Sequence, residues 1–515
     1  YVREVDGAVK DLTPGKDFKA DFAGWAHDEK SFFVMTNERD PKYFDGYEYA
    51  IDGYARTLIY KNEKGYFPGA ISRDKRFIAL GKVNTTSDSD IVLFDRETST
   101  EKNLTQHEGV ESNESVAFTP DGGLLYTSNR GGELSPLMRM DLASGESTVI
   151  YETEWDVAGA DYTPDDSHLL VYVNADARTE LVMLDAQTLQ PVALPKVPAG
   201  DITGVDFSKD GKRLAFYVAS SRFPSSLWTA QLGGEARQLV SALNAAIDVE
   251  DLVEGEVVRF KSYDGMEVPG ILYMPPGASD ASKVPGLVWV HGGPGGQSRL
   301  NYSALIQYLV NHGYAVYAIN NRGSSGYGKT FYAADDRRHG EADLDDVVES
   351  KKMLIATGKI DADRIGIIGG SYGGYMTLAA LTYRPDAFAV GVDIFGVANW
   401  LRTLESIPAW WEAQRQALYA EPGDPVADKE RLMRISPLFH AGNITKPLMV
   451  LQGANDPRVL KGESDEIVAA VKANKVPVEY VVFADEGHGF VKRENEKTGY
   501  EAVLKFLDTH LKGSK

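Results

Sequence analysis

The sequence predicts a chain in two parts of different class, a repetitive all-β region followed by an α/β region that presents a nucleophilic serine. Three observations predict it. Five aspartate-marked turns recur at near-constant spacing through residues 1 to about 245. From about residue 256 onward, apolar strand-like runs alternate with helical patterns. One of these strands, Ile365 to Ile368, runs into Gly369-Gly370-Ser371-Tyr372-Gly373, a G-x-S-x-G followed by the helical run Tyr375 to Leu381.

The 515 residues exceed one ordinary core, and the pattern change divides them into a domain over 1–250 and a domain over 251–515. An apolar content of 43% and a charged content of 25% are those of a globular chain. No run of about 18 apolar residues occurs, so no membrane-spanning helix is expected. The formal net charge of −21 argues against nucleic acid as a partner, because a phosphate backbone would be repelled. The chain has no cysteine. Disulfides, thiolate zinc sites and a cysteine nucleophile are therefore excluded, and no metal ligand is assigned. The compartment, cytoplasmic or periplasmic, is left unread, since any signal segment would precede Tyr1. Association into homo-oligomers is left open.

In the first half, the turns at Asp28, Asp74, Asp121, Asp165 and Asp210 each precede an apolar run, and they stand 46, 47, 44 and 45 residues apart. Turns of this kind between short apolar runs signal hairpins. A period near 45 with about four strands per unit predicts a β-propeller. A second turn follows about 20 residues on, at Asp95, Asp141 and Asp185, and Asp6-Gly7 fits that second turn. The expectation is five whole blades plus a partial one, with further blade residues upstream of Tyr1. A five- or six-bladed ring closed by its own N-terminal strand is the alternative. The Tyr- and Gly-rich segment Tyr43 to Tyr54 reads as an insertion overhanging a cavity.

In the second half, strands are expected at Val257–Phe260, Ile271–Met274, Leu287–Val290, Ala315–Ile319, Ile365–Ile368, Val390–Phe395, Leu448–Leu451 and Val478–Phe483. Helical patterns lie around 299–312, 343–356, 372–384, 462–474 and 496–511. This alternation predicts an α/β sheet with helices on both faces and functional groups at the strands' carboxyl ends. Three ends carry suitable residues besides Ser371. His291-Gly292-Gly293-Pro294 follows one strand and could turn a backbone N–H toward an oxyanion. Asp456 follows a second and His488 a third, giving the order Ser, Asp, His of an α/β-hydrolase. Of the nine histidines only His488 and His510 follow Asp456, and His510 lies on the last helix. Asp485 and Glu486 rival Asp456 as the acid but are only three and two residues from His488. A carboxylate from another strand's loop is preferred.

Gly323-Ser324-Ser325-Gly326-Tyr327-Gly328-Lys329-Thr330 also satisfies the phosphate-loop pattern G-x-x-x-x-G-K-[ST], with Asp393 as a conceivable magnesium ligand. Gly340 and the pair Asp335-Asp336 argue against a long helix and an anion there. A nucleotide-binding protein is the rival of a different class.

Taken together, His291-Gly292-Gly293-Pro294, Asn321-Arg322-Gly323-Ser324-Ser325-Gly326-Tyr327-Gly328, Gly369 to Tyr375, Asn455-Asp456-Pro457-Arg458-Val459 and Gly487-His488-Gly489-Phe490 resemble the prolyl oligopeptidase family of serine peptidases, especially its acylaminoacyl-peptidase-like bacterial branch. The resemblance covers almost the whole chain and explains the phosphate-loop match as the family's Arg-Gly-x-x-Gly-Tyr-Gly segment. It implies Ser371 as nucleophile, His488 as base and acid, and Asp456 as the orienting group. It implies an oxyanion held by the amides of Gly293 and Tyr372, and a substrate pocket formed by Tyr372, Val397, Trp400 and Val459. It also implies no cofactor, and a propeller that restricts substrates to short peptides. Dipeptidyl peptidases of the family hold the peptide amine with adjacent glutamates, and residues 1–245 contain no Glu-Glu pair. A carboxylesterase using the same three residues is the nearest alternative activity, and a binding propeller with an inactive hydrolase is a third.

Overall fold

The computed structural model describes residues 1–4 and 6–512; Val5, in the run Tyr1 to Val5 that precedes the Asp6-Gly7 turn, lies outside them. The chain forms two compact units. One comprises Tyr1–Thr153, Val157–Tyr162 and Ile407–Leu418, and the other Glu154–Asp156, Thr163–Ser406 and Tyr419–Lys515.

Residues up to Val240 form five four-stranded antiparallel sheets, each a meander of consecutive strands, preceded by the hairpin Val2–Arg3/Val9–Lys10. These are the five blades and the partial one that the spacing predicts. The first strands of the five sheets are Ala20–Trp25, Phe67–Ile71, Asn113–Phe118, Asp156–Tyr162 and Asp201–Phe207. The repeating aspartate sits in the turn after each. Its carboxylate accepts from the amide two residues on in four of the turns: Lys30 at 3.0 Å, Arg76 at 3.0 Å, Ser167 at 3.2 Å and Lys212 at 3.2 Å. A hydroxyl two residues earlier donates to it in four: Ser72, Thr119, Thr163 and Ser208, at 2.5–2.8 Å. Such side-chain-to-backbone bonds fix a turn without help from the sheet. The next residue is left-handed in all five turns (Glu29, Lys75, Gly122, Asp166 and Gly211), although only two of them are glycine. The strand that follows is the buried one: Ile78, Ala79 and Leu80, for example, are at most 1% exposed.

The segment read as an insertion, Tyr43 to Tyr54, is not one. Tyr43–Ala50 is the third strand of the first whole sheet, paired with Ser31–Asp40 and Arg56–Tyr60. Tyr49 is buried and stacks on Phe32 at 5.3 Å, and Asp45 receives Arg39 Nε at 2.6 Å. Tyrosines suit a half-buried pleated surface, and the segment is an ordinary blade strand rather than a loop.

The α/β part holds eight strands, β1 (Glu256–Lys261), β2 (Glu267–Tyr273), β3 (Val284–Val290), β4 (Ala315–Ile319), β5 (Ile360–Gly370), β6 (Gly391–Ile394), β7 (Leu448–Gly453) and β8 (Val478–Phe483), in the order β1-β2-β4-β3-β5-β6-β7-β8. The pairs β1–β2 and β2–β4 are antiparallel and the other pairs are parallel. Leu287, Val288, Ile367, Ile368 and Val450 are fully buried, as a parallel sheet covered on both faces requires. Helices Ala304–Asn311, Ala342–Ala356, Tyr372–Tyr383, Lys461–Ala473 and Arg493–Leu507 fall where the periodicity places them. No helix of the described residues is long and apolar enough to cross a membrane.

Candidate active site

Strand β5 ends at Gly370, and Ser371 takes φ 58°, ψ −117° before the helix Tyr372–Tyr383 begins. A side chain in this conformation is strained by about 1–3 kcal/mol, so surrounding structure must hold it. It does: Ser371 N–H donates to Ile394 O at 2.9 Å, and Ser371 O accepts from Tyr375 N at 3.0 Å. A Cβ on Gly373 would run into the Val290 carbonyl, and one on Gly369 into the Gly373 and Val290 carbonyls. The turn between β5 and the helix closes only because both positions lack a side chain.

Two neighbouring strand ends complete a chain of hydrogen bonds. His488, after β8, donates from Nδ1 to Asp456 Oδ2 at 2.7 Å, and its Nε2 accepts from Ser371 Oγ at 2.9 Å. Asp456, after β7, is itself held through Oδ1 by the amides of Arg458 at 2.8 Å and Val459 at 3.0 Å. Its side chain is fully buried and that of His488 nearly so. The neighbouring acids are engaged elsewhere. Asp485 pairs with Lys492 and accepts from Asn495 Nδ2 at 3.0 Å, and Glu486 accepts the amides of Val491 at 3.3 Å and Lys492 at 2.9 Å. Asn455 N–H donates to Glu486 O at 2.9 Å, which ties the Asp456 loop to the His488 loop. Phe395, left-handed at φ 44°, lays its ring 4.6 Å from that of His488.

The turn His291 to Gly296 lies beside the serine. A Cβ built on Gly292 would stand 3.5 Å from Ser371 Cβ. This turn carries the Gly293 amide. Tyr372 is the first residue of its helix, where an amide has no intrahelical acceptor and the helix dipole favours negative charge. Tyr372, Val397, Trp400 and Val459 are each at most 5% exposed. The Tyr372 and Trp400 rings meet at 6.2 Å, and Tyr375 closes on Trp400 at 5.1 Å. The Tyr372 hydroxyl donates to buried Asp343, and burial, reinforced by that carboxylate, pushes the phenol well above its ordinary pKa. Glu463 fixes the segment bearing Val397 and Trp400 by accepting the amides of Ala398 at 2.9 Å and Asn399 at 2.8 Å. Sequence reasoning missed Asp343, Tyr375, Phe395 and Glu463. Asp343 and Glu463 lie in charge-rich helix starts that read as solvated faces, and nothing local marks the backbone of Phe395.

The phosphate-loop match has a different use. Gly323 N–H donates to Phe331 O at 2.9 Å, Ser324 N–H to Asn321 O at 3.0 Å and Ser325 N–H to Gly296 O at 3.0 Å. These amides are therefore not available to cradle a phosphate, and the following helix, Lys329–Tyr332, is one turn long. Asp393 Oδ1 is spent on the Gly396 amide at 2.8 Å.

The β-sheet order, the strained serine after β5 and the acid and histidine after β7 and β8 define an α/β-hydrolase with a propeller-type N-terminal region. A model of the prolyl oligopeptidase family matches residues 300–514. Dipeptidyl aminopeptidase BIII of Pseudoxanthomonas mexicana is 34% identical over 98% of this chain and 76% of its own length. Dipeptidyl peptidase family member 6 of Caenorhabditis elegans is 31% identical over 68% of this chain and 51% of its own, so the chain spans only about half of that relative. A puromycin-hydrolysing peptidase of Mycobacterium tuberculosis has the same fold, with a TM-score of 0.83 at 22% identity over 96% of this chain and 80% of that one. The chain belongs to the prolyl oligopeptidase family and is a serine-type peptidase.

Proposed function

We propose that this chain hydrolyses short peptides through an acyl-enzyme built on Ser371. The observation that carries the reading is the continuous hydrogen-bonded chain from Ser371 through His488 to Asp456. All three residues fall within 251–515, the proposed catalytic domain. In the reaction, His488 Nε2 takes the Ser371 proton as Oγ attacks the scissile carbonyl. The developing oxyanion receives the amides of Gly293 and Tyr372. His488 then gives the proton to the leaving amine, and a water, activated in the same way, releases the acyl group. Asp456 keeps the Nδ1–H tautomer and steadies the imidazolium. Peptides as the substrate class are supported by the names of the relatives, a dipeptidyl aminopeptidase and a dipeptidyl peptidase. The wall of Tyr372, Val397, Trp400 and Val459 offers no charge to a side chain entering it. Burying an unpaired charge is costly, so an apolar residue or proline is preferred before the cleaved bond.

The test is a panel of short peptides differing at that residue, run with the parent and with Ser371→Ala. Apolar and prolyl members should be cleaved fastest, and Ser371→Ala should lose roughly 10⁴-fold or more in kcat with its circular dichroism unchanged. A tenfold preference for a charged residue would remove the proposed pocket. Turnover of simple esters with no peptide cleaved would reassign the chain as a carboxylesterase.

A further inference from the structure

Against the ring of Tyr372 lies a cluster of ionisable side chains that the proposed mechanism does not use. Asp335 ends the short turn Ala333–Asp335, His339 follows four residues later, and Glu421 comes from a separate segment. All three are buried: His339 fully, Asp335 and Glu421 to 2% and 5% exposure. One ligand-capable atom from each lies within 4.8 Å of the others. We propose that Asp335, His339 and Glu421 bind a divalent first-row metal ion, with one imidazole nitrogen and two carboxylate oxygens as ligands.

Two features point to an ion rather than to a plain ion pair. His339 Nε2 stands 3.5 Å from Asp335 Oδ2 and 3.5 Å from Glu421 Oε1, long for hydrogen bonds. Ligand atoms about 2.0–2.2 Å from Zn²⁺ at a tetrahedral angle are separated by roughly 3.4 Å, so the spacing is that of a shared cation. Among the described residues neither ring nitrogen of His339 has a hydrogen-bond partner, and Asp335 Oδ1 has none either. An imidazole can give Nε2 to a metal ion while one oxygen from each carboxylate completes the set.

The scaffold holds the ligands together, because Arg337 N–H donates to Glu421 O at 3.0 Å. Carboxylate and imidazole donors suit Zn²⁺ and its first-row neighbours. The His339 ring meets the Tyr372 ring edge-on at 5.7 Å, so the ion would brace Tyr372 in the proposed pocket wall.

The site is buried, so the test unfolds and refolds the full chain with and without Zn²⁺, desalts it and measures bound metal by mass spectrometry. Stoichiometric Zn²⁺ and a Tm raised by several degrees are expected in the parent. His339→Gln and Glu421→Gln should lose the metal and the shift, and His510→Gln, outside the cluster, should keep both. Should both cluster variants fail to fold, Co²⁺ in the parent decides. Visible ligand-field bands of low-coordinate Co²⁺ that Zn²⁺ displaces are expected, and the weak spectrum of hydrated Co²⁺ would overturn the proposal. So would a parent that retains no metal, or folded cluster variants that retain as much as the parent.

Discussion

At the residue scale, the choice between carboxylates turns on which group can meet His488 Nδ1 while its own backbone is fixed. Asp456 has its second oxygen saturated by two amides, which leaves Oδ2 aimed at the imidazole. Asp485 and Glu486 are bound to the segment after His488 and help to shape its loop. Asp456→Asn should therefore lose on the order of 10⁴-fold in kcat through the wrong tautomer, and Asp485→Asn far less. Steady-state kinetics on one apolar peptide measures both, and a far larger loss in Asp485→Asn than in Asp456→Asn would exchange their roles. The serine, acid and histidine were legible in the sequence because each follows an apolar strand within a few residues. The groups that support them were not. The Tyr372–Asp343 and Glu463–Ala398 contacts join residues far apart in sequence that leave no local periodicity.

At the scale of elements, two buried ionisable groups stand where strands and helices join. Arg322, just beyond β4, is 2% exposed at its side chain and pairs with fully buried Asp346 of the helix Ala342–Ala356 at 2.8 Å. Its other partner, Asp264 in the β1–β2 turn, is 40% exposed. Removing the arginine strands the Asp346 charge, so Arg322→Leu should cost about 3–5 kcal/mol in urea unfolding. Asp264→Asn should cost about 1 kcal/mol or less, as a partly solvated pair does. Asp393, closing β6, is fully buried, and burial, with Glu463 adding, pushes its carboxyl up to about 7 against the Gly396 amide. The unfolded group ionises near 3.8, so between that pH and about 7 the folded state keeps a proton that the unfolded state has lost. Its contribution to stability is complete below about pH 4 and drains away as pH rises toward 7. Asp393→Asn should flatten that part of the urea-midpoint profile, and an unchanged slope would place the titration elsewhere. Strand positions were readable from apolar runs, but β5 begins five residues before its run, at Ile360. Asp361 to Arg364 join it through backbone geometry, to which composition is blind.

At the scale of the whole chain, the repeat was legible because every blade uses the same local device, an aspartate turn with a left-handed residue after it. The Tyr-rich third strand of the first blade escaped because its Asp, Gly and Glu residues interrupt the apolar run by which the other strands were read. The membership of Ile407–Leu418 in the unit with Tyr1–Thr153 was not legible either. It rests on contacts such as Lys19 over the Trp410 ring at 4.2 Å and Lys42 with Glu412 at 3.7 Å, which no periodicity encodes. The nucleotide-loop match shows the converse, a correct pattern whose amides the fold has already used. What unites the two halves of the sequence in one function is the claim that Ser371 is the nucleophile of a peptidase. That claim is tested most directly by treating the native full chain with a fluorophosphonate and mapping the adduct by peptide mass spectrometry while following peptide hydrolysis. The expected result is a single adduct on Ser371 whose occupancy rises in step with the loss of activity. An adduct on another serine, or full activity with Ser371 completely modified, would contradict it.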